Sequence, residues 1–169
     1  MNRSNGGSGR NPLRRDKRMQ PHTKDSYREP KRPKGDRICE GCGAVCNAGR
    51  WTWYATPRDR RQLECPACKR MRENVPAGEL VLHGAYLHAH RGMILELLQR
   101  QADMETSEHA LERIMEIERS ADSVTVRTTG AHMVRRLADA LLHAHHGSLA
   151  INYRDGEDML RAHWTRDDA

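Results

Sequence analysis

Four cysteines in two Cys-x-x-Cys pairs are the residues whose type and spacing most clearly predict chemistry. Cys39 and Cys42 form the first pair, Cys65 and Cys68 form the second, and residues 43–64 separate them. Two residues between cysteines let both sulfurs of one turn face one cation, and two such turns supply the four tetrahedral ligands that zinc prefers. The pattern predicts one structural Zn²⁺ on these thiolates. Because all four positions are cysteine, we expect no open position for catalysis at this metal.

Disulfides and a redox-active Cys-x-x-Cys are the alternatives to zinc. Residues 1–18 are polar and basic, without the apolar segment of a signal peptide, so we expect a cytoplasmic protein. A reducing cytoplasm favours thiolate ligands over disulfides, and a redox motif normally occurs once, near a βαβ pattern. We expect the fifth cysteine, Cys46, to be a spare or buried thiol, with replacement of one of the four ligands as the alternative.

Charge is distributed unevenly along the 169 residues. Residues 1–37 hold 12 Lys/Arg and 4 Asp/Glu, residues 38–78 hold 7 and 4, and residues 79–169 hold 10 and 15, so the net charges are +8, +3 and −5. The first segment has few residues to bury, which predicts a disordered basic arm. Such an arm gains affinity for RNA or the ribosome by releasing counterions from phosphates. A solubilising tail without a partner is the alternative.

Residues 38–78 are interpreted as a four-cysteine zinc module with an aromatic, strand-like segment at residues 50–54. Its two tryptophans, Trp51 and Trp53, fall on one face and are expected to cover the metal site. In the alternative, one ring is an exposed platform for an unstacked base while basic neighbours meet phosphates. The candidate nucleic-acid contacts are Arg50, Trp51, Arg58, Arg60, Arg61, Lys69 and Arg70.

Residues 79–169 show the periodicities of a small α/β unit. An apolar stretch at 80–82 precedes a predicted helix at 85–102, and alternating segments at 114–118 and 124–128 predict a hairpin. Thr129 is the expected N-cap of a second helix, which Gly147 would end. The expected apolar face of this helix comprises Met133, Val134, Leu137, Leu141 and Ala144.

Two further strands are predicted at 149–153 and 159–164. The fold class is therefore α+β: a zinc-ribbon-like or treble-clef-like module, then a helix and a small ββαββ domain with one helix on a mostly antiparallel sheet. No apolar run approaches the ~20 residues that cross a bilayer, so we expect no membrane contact.

Ten histidines raise the question of a second metal site. His88 and His90 lie two positions apart, as do His143 and His145, which directs the members of each pair away from each other on a helix. His143 with His146 is the better pair. We expect these histidines to face solvent. Phosphate-binding glycine loops and hydrolase motifs are absent, so we predict a protein without enzymatic activity or small-molecule substrate. An enzyme would need a polar cleft around Thr128, Thr129 and His132.

Several strings within residues 38–165 carry a family resemblance: Cys39-x-x-Cys42-Gly43-Ala44, Arg50-Trp51-x-Trp53, Cys65-Pro66-x-Cys68, Pro76-Ala77-Gly78-Glu79, Leu111-Glu112-Arg113-Ile114-Met115 and the segments 126–129 and 131–137. They resemble a bacterial family of small, uncharacterised zinc-knuckle proteins. The chain is also distantly similar to the amino-terminal region of nonsense-mediated decay protein three, the large-subunit export adaptor, which has zinc knuckles followed by a small α/β unit. The resemblance implies the four zinc ligands and work on the large ribosomal subunit.

Two functions remain as hypotheses. The first is an RNA-binding, ribosome-associated factor that uses the basic arm and the zinc module. The second is a protein–protein adaptor that uses the acidic carboxy-terminal domain, with zinc only stabilising the fold. An exposed apolar patch on the carboxy-terminal sheet would favour the adaptor. If both Trp51 and Trp53 are buried and the arginines point in several directions, the hypothesis that the module binds RNA is weakened.

Overall fold

The computed structural model describes residues 25, 27, 35–57, 61–153 and 158–168. Most of the predicted arm and the candidate contacts Arg58 and Arg60 lie outside these residues, as do residues 154–157 between the two last predicted strands. Within them the chain forms two β-sheets and three helices, so the predicted α+β class is confirmed. None of these helices is long and apolar enough to cross a bilayer.

The first unit is a three-stranded antiparallel sheet followed by a short helix. The strands are β1 (Arg37–Ile38), β2 (Val45–Asn47) and β3 (Arg50–Thr52), and the helix is α1 (Pro66–Glu73). Ala48 and Gly49 join β2 to β3 with positive φ angles of 49° and 79°. Two successive positive φ values give a two-residue turn whose twist matches that of the flanking strands. This turn brings Trp51 opposite Cys46 in the sheet.

The second unit contains five strands and two longer helices. In chain order they are β4 (Gly78–His83), α2 (Ala85–Glu108), β5 (Ile114–Arg119), β6 (Ser123–Thr128), α3 (Ala131–His145), β7 (Ser148–Tyr153) and β8 (Leu160–Thr165). The hairpin of β5 and β6 and the strands β7 and β8 lie where the sequence predicted strands. The helix predicted at 85–102 continues to residue 108.

The predicted helix and ββαββ domain omit one strand, β4, at the centre of the sheet. The observed order is β5-β6-β4-β8-β7, in which β4 pairs antiparallel with β6 and parallel with β8. Leu80 and Leu82 of β4 are fully buried. The apolar stretch at 80–82 is short, and its sequence does not reveal that it occupies the centre of the sheet.

Both longer helices cover one face of the five-stranded sheet. Every second residue of β4, β6 and β8 points into this core, which is the alternation expected of strands with one buried face. The helices contribute the apolar stripes that cover these strands. The core includes Leu87, Ile94, Leu98, Met133, Leu137 and Leu141 from the helices and Leu80, Val126, Leu160 and Trp164 from the sheet.

Two details of α3 differ from the prediction. Gly130, not Thr129, occupies the N-cap position, and the backbone N–H of Met133 donates to the Glu112 carboxylate at 2.7 Å. The residue that satisfies this helix terminus therefore comes from before β5 and not from the preceding position. Ala144 is exposed and does not belong to the apolar face.

Candidate metal centre

The first cysteine pair lies in a tight turn between β1 and β2. The backbone N–H of Cys39 donates to Ala44 O at 2.8 Å, and the N–H of Gly43 donates to Cys39 O at 2.9 Å. Gly43 has a φ of +77°, a conformation that glycine adopts without steric cost. A Cβ at Gly41 would lie 3.2 Å from Cys68 Sγ. Glycine at these positions lets the two halves of the centre approach closely.

The second pair lies at the start of α1. Cys65 is the N-cap residue, and its sulfur accepts a hydrogen bond from the N–H of Cys68 at 3.3 Å. Pro66 follows at the first helical position, where no N–H is needed. The helix terminus presents backbone donors and a partial positive charge, both of which favour thiolates at this place.

The four sulfurs form one cluster with the dimensions of a zinc site. The sulfurs of Cys39, Cys42, Cys65 and Cys68 all lie within 4.8 Å of one another. Cys42 Sγ and Cys65 Sγ are 3.8 Å apart. A tetrahedral Zn²⁺ with Zn–S bonds of ~2.3 Å would separate its sulfurs by about 3.8 Å. The donor set and this spacing fit one tetrahedral metal ion.

The surroundings act differently on the individual thiols. Burial raises the pKa of Cys65, and it also raises that of Cys68. Burial also disfavours the thiolate of Cys39. Hydrogen bonds from backbone N–H groups, the strongest from Cys65, outweigh this effect and lower the pKa of Cys39 to about 7. Binding a cation would stabilise all four thiolates, because metal coordination deprotonates a thiol.

Arg113 is the charged residue of the centre that sequence reasoning missed. It precedes β5, and its guanidinium donates to Cys42 Sγ at 3.0 Å and to Cys68 Sγ at 3.5 Å. It also lies 5.3 Å from the centroid of the Trp53 ring. No spacing rule connects Arg113 to cysteines this far away in sequence. The only signal was its presence in one of the strings that carry the family resemblance.

The two tryptophans help to hold the module in place. Trp51 is only 9 % exposed and packs with Cys39, Cys46 and Cys65 in the small core of the first unit. Trp53 is half-buried, and its indole N–H donates to Thr106 O at the end of α2. Trp51 therefore does not offer a ring face to a base, which corrects its assignment as a nucleic-acid contact.

The candidate basic contacts fall into two groups. Arg50, Arg61 and Lys69 are exposed. Arg70 is 3 % exposed, forms an ion pair with Asp25, and donates to Val75 O. The structure places Arg70 inside the protein, and its guanidinium is engaged before any phosphate arrives. This burial corrects the expectation that Arg70 meets RNA.

Cys46 is fully buried on β2 and is not part of the four-sulfur cluster. This position agrees with the expectation of a buried thiol. None of the five cysteines is disulfide-bonded.

A cleft of about 700 Å³ lies where the two units meet, and its lining includes Trp51, Thr129 and His132. Thr129 and His132 are two of the three residues that an enzymatic site was expected to need. The hydroxyl of Thr129 donates to Leu111 O and accepts from the N–H of Arg113. These bonds give Thr129 a structural role next to the residue that contacts the thiolates.

No protein-family model matches the chain, and no curated protein or solved structure shows significant similarity to it. The functional assignment therefore rests on the geometry, which brings four thiolates close enough together to bind a metal such as zinc.

Proposed function

We propose that this protein binds RNA, without enzymatic activity, and that one structural Zn²⁺ holds the module from which part of the contact is made. The observation that carries the proposal is the distribution of charge. Exposed basic side chains of the module continue the segment of net charge +8 at residues 1–37, whereas residues 79–169 have a net charge of −5. A polyanion would meet the arm and the module before it approached the acidic domain.

The order of elements around the cysteines supports a structural metal. One ligand pair lies in a turn before a hairpin, and the other lies in the first turn of a helix. This order favours the treble-clef-like alternative over a ribbon. Four thiolates leave no open coordination position, so the metal would stabilise the module and would take no part in a reaction.

The module contacts in this proposal differ from those expected from sequence. Arg50, Arg61 and Lys69 are exposed and are retained as phosphate contacts. Tyr54 is 81 % exposed, so its ring has the free face that a stacked base requires. Its hydroxyl donates to Ser107 O at 3.1 Å, which holds the ring in one place. Tyr54 therefore takes the role first assigned to Trp51.

An exposed apolar patch on the carboxy-terminal sheet would have favoured the adaptor hypothesis. The open face of that sheet instead carries ion pairs centred on Glu79, which lies 2.6 Å from Arg161 and 3.4 Å from Arg127. Large apolar side chains that are exposed among the described residues lie elsewhere, at Tyr54, Met71, Val75, Met93 and Met104. RNA binding is therefore the better-supported proposal. Association with the ribosome and membership of the zinc-knuckle family stay predictions.

The experiment that tests the proposal is the salt dependence of binding to a labelled single-stranded RNA. The deletion variant lacks residues 1–24, which hold 7 Lys/Arg, and keeps Asp25 and Tyr27 next to Arg70. Each phosphate contact on a single strand contributes ~0.7 to the slope of log K against log salt, so the deletion should lower the slope by up to about 5. An unchanged slope and affinity would refute the proposal.

A second comparison separates the module from the arm. The double variant Arg50→Glu with Lys69→Glu should weaken RNA binding at least tenfold, because it reverses two exposed charges of the module, one on β3 and one on α1. The matched control, Arg100→Glu with Arg119→Glu, reverses two exposed arginines in the acidic domain and should leave affinity within twofold. Equal losses in both variants would show that only total charge matters and that the module makes no contact.

A further inference from the structure

A second cluster of metal-binding side chains lies where α2 ends and α3 begins. Glu105 is on the last turn of α2, His109 is the residue that caps it, and His132 is in the first turn of α3. One ligand atom from each lies within 4.8 Å of the other two. Glu105 Oε1 is 2.8 Å from His132 Nε2 and 3.4 Å from His109 Nε2. Three potential ligands from two helices thus converge on one point.

Glu105 is the unusual member of this cluster. Its side chain is only 4 % exposed, a degree of burial that a carboxylate rarely has unless it is paired. Oε2 accepts from the Arg136 guanidinium at 3.2 Å. Oε1 is buried and has no hydrogen-bond partner within the described part of the chain, since the contact from His132 lacks hydrogen-bond geometry. An unsatisfied buried carboxylate oxygen costs free energy that a bound cation would recover.

The spacing of the three atoms fits a first-row transition metal. Metal–ligand bonds of ~2.0–2.2 Å place neighbouring ligand atoms about 2.9 Å apart in octahedral geometry and about 3.4 Å apart in tetrahedral geometry. The separations of 2.8 and 3.4 Å from Glu105 Oε1 lie close to the range that these two geometries span. The His109 and His132 rings are nearly perpendicular, at 86°, with centroids 5.6 Å apart. Their nitrogens can therefore converge without the rings stacking.

We propose that Glu105, His109 and His132 bind a divalent first-row transition ion such as Zn²⁺, at a site separate from the four cysteines. Two imidazoles and one carboxylate are donors that these ions accept. Arg136 holds the second carboxylate oxygen and so orients Oε1 toward the metal. Both histidines are 52 % exposed, so the ion can enter from solvent and keep water in its remaining positions. The bound ion would join the end of α2 to the start of α3.

The alternative is that the two histidines only balance the charge of Glu105. His143 and Asp139 provide an internal comparison, because they also form a carboxylate–histidine pair four residues apart, at 3.7 Å. His143 is exposed, Asp139 is partly exposed, and the described residues offer no third ligand beside them, so this pair should not hold a metal ion. His143→Ala is therefore the matched control for His109→Ala and His132→Ala.

The test is the zinc content of the full-length protein after loading with excess Zn²⁺ and removal of unbound metal. We expect two equivalents in the wild type and in His143→Ala, and one equivalent in His109→Ala, His132→Ala and Glu105→Gln. Three results would overturn the proposal: one equivalent in the wild type, two equivalents in the His109 and His132 variants, or a loss of metal in His143→Ala equal to theirs.

A thermal measurement distinguishes lost binding from lost folding. A metal that binds only the folded state raises the melting temperature. Starting from protein that carries one equivalent of Zn²⁺ at the four cysteines, further Zn²⁺ should raise the melting temperature of the wild type and of His143→Ala. The shift should vanish in His132→Ala, whose melting temperature without added Zn²⁺ should stay close to that of the wild type because the side chain is half exposed. A shift of wild-type size in His132→Ala would contradict the proposed site.

Discussion

The guanidinium of Arg113 donates a hydrogen bond to Cys42 Sγ at 3.0 Å, although 71 positions separate the two residues. Arg113 belongs to the second unit, and the cysteine belongs to the first. Zn²⁺ with four thiolates carries a net charge of −2, and Arg113 places a positive charge directly against it. The bond therefore couples the electrostatics of the metal centre to the docking of the two units.

Replacing this arginine should weaken metal binding. Arg113→Met keeps much of the side-chain volume against Trp53 but removes the charge and both donors to sulfur. Loss of a hydrogen-bonding partner of metal ligands typically lowers metal affinity 10–100-fold, and we expect a loss in that range. Competition with a chromogenic chelator measures it.

The control for this substitution is Arg119→Met, which changes an exposed arginine at the end of β5. Its zinc affinity should match that of the wild type. Arg113→Lys should recover little, because an ammonium group does not reproduce the forked donors of a guanidinium. If Arg113→Met binds zinc as tightly as the wild type does, the bond to sulfur has no role in metal affinity.

Removing the metal should unfold the first unit while the second stays folded. The core of the first unit contains few buried residues, and three of them are Cys39, Cys46 and Cys65. A core this small depends on its metal. The second unit has an apolar core of its own around Leu80 and Trp164. Hydrogen exchange with and without a chelator should show lost protection in residues 37–52 and retained protection in β4 and β8.

Two cysteine variants separate the ligand role from the packing role. Cys42→Ser should abolish zinc binding at the four-cysteine site and reproduce the exchange pattern of the chelated protein. Cys46→Ala should retain zinc, because Cys46 lies outside the sulfur cluster, although its buried position makes some loss of stability expected. Cooperative loss of protection in β4 and β8 on chelation would show that the two units fold as one.

The cysteine ligands were predictable because their geometry is local. Each pair lies within one turn, so spacing alone fixes the direction of both sulfurs. The partners that complete the two sites are not local. Arg113 reaches Cys42 from the position before β5, and His132 of α3 meets Glu105 of α2. Neither contact leaves a periodic signal in the sequence. The histidine pairs that spacing suggested do not belong to the cluster of Glu105, His109 and His132.

The secondary structure was predictable for a similar reason, and the topology was not. Alternation gave the hairpin of β5 and β6, and the 3.6-residue period gave the two longer helices. The position of β4 between β6 and β8 depends on long-range pairing, which a short apolar stretch does not encode. The prediction that Thr129 caps α3 was wrong for the same reason, because Glu112 reaches the helix terminus from before β5.

Replacing Gly84 or Gly92 by alanine should change the stability of the protein in opposite directions. Gly84 has a φ of +108°, and a Cβ there would lie 2.2 Å from the Arg166 backbone oxygen, so Gly84→Ala should destabilise the protein by ~1–3 kcal/mol. Gly92 is exposed within α2 with nothing within 4 Å of its Cβ position, and Gly92→Ala should stabilise it by up to ~1 kcal/mol. Urea denaturation measures both, and each variant controls for the other. Equal effects would contradict the close approach at Gly84.

His145 should make the protein less stable at acidic pH. The ring is buried, and its Nδ1 lies 3.2 Å from the Tyr86 hydroxyl. Burial lowers the pKa of His145, and the positive charges of His90 and Arg166 lower it further. The unfolded chain takes up a proton near pH 6.5 while the folded protein resists it, so the free energy of unfolding should fall as pH drops below about 6.5.

The measurement is the free energy of unfolding at pH 7.5 and at pH 5.5 for the wild type and for His145→Gln. Glutamine keeps a polar group near Tyr86 but does not titrate, so the variant should lose less stability between the two pH values. One proton limits the difference to about 1.4 kcal/mol at one pH unit below the unfolded pKa. His83→Gln alters an exposed histidine and should retain the wild-type pH dependence. Parallel profiles for the wild type and His145→Gln would show that the His145 ring is protonated as readily in the folded protein as in the unfolded chain.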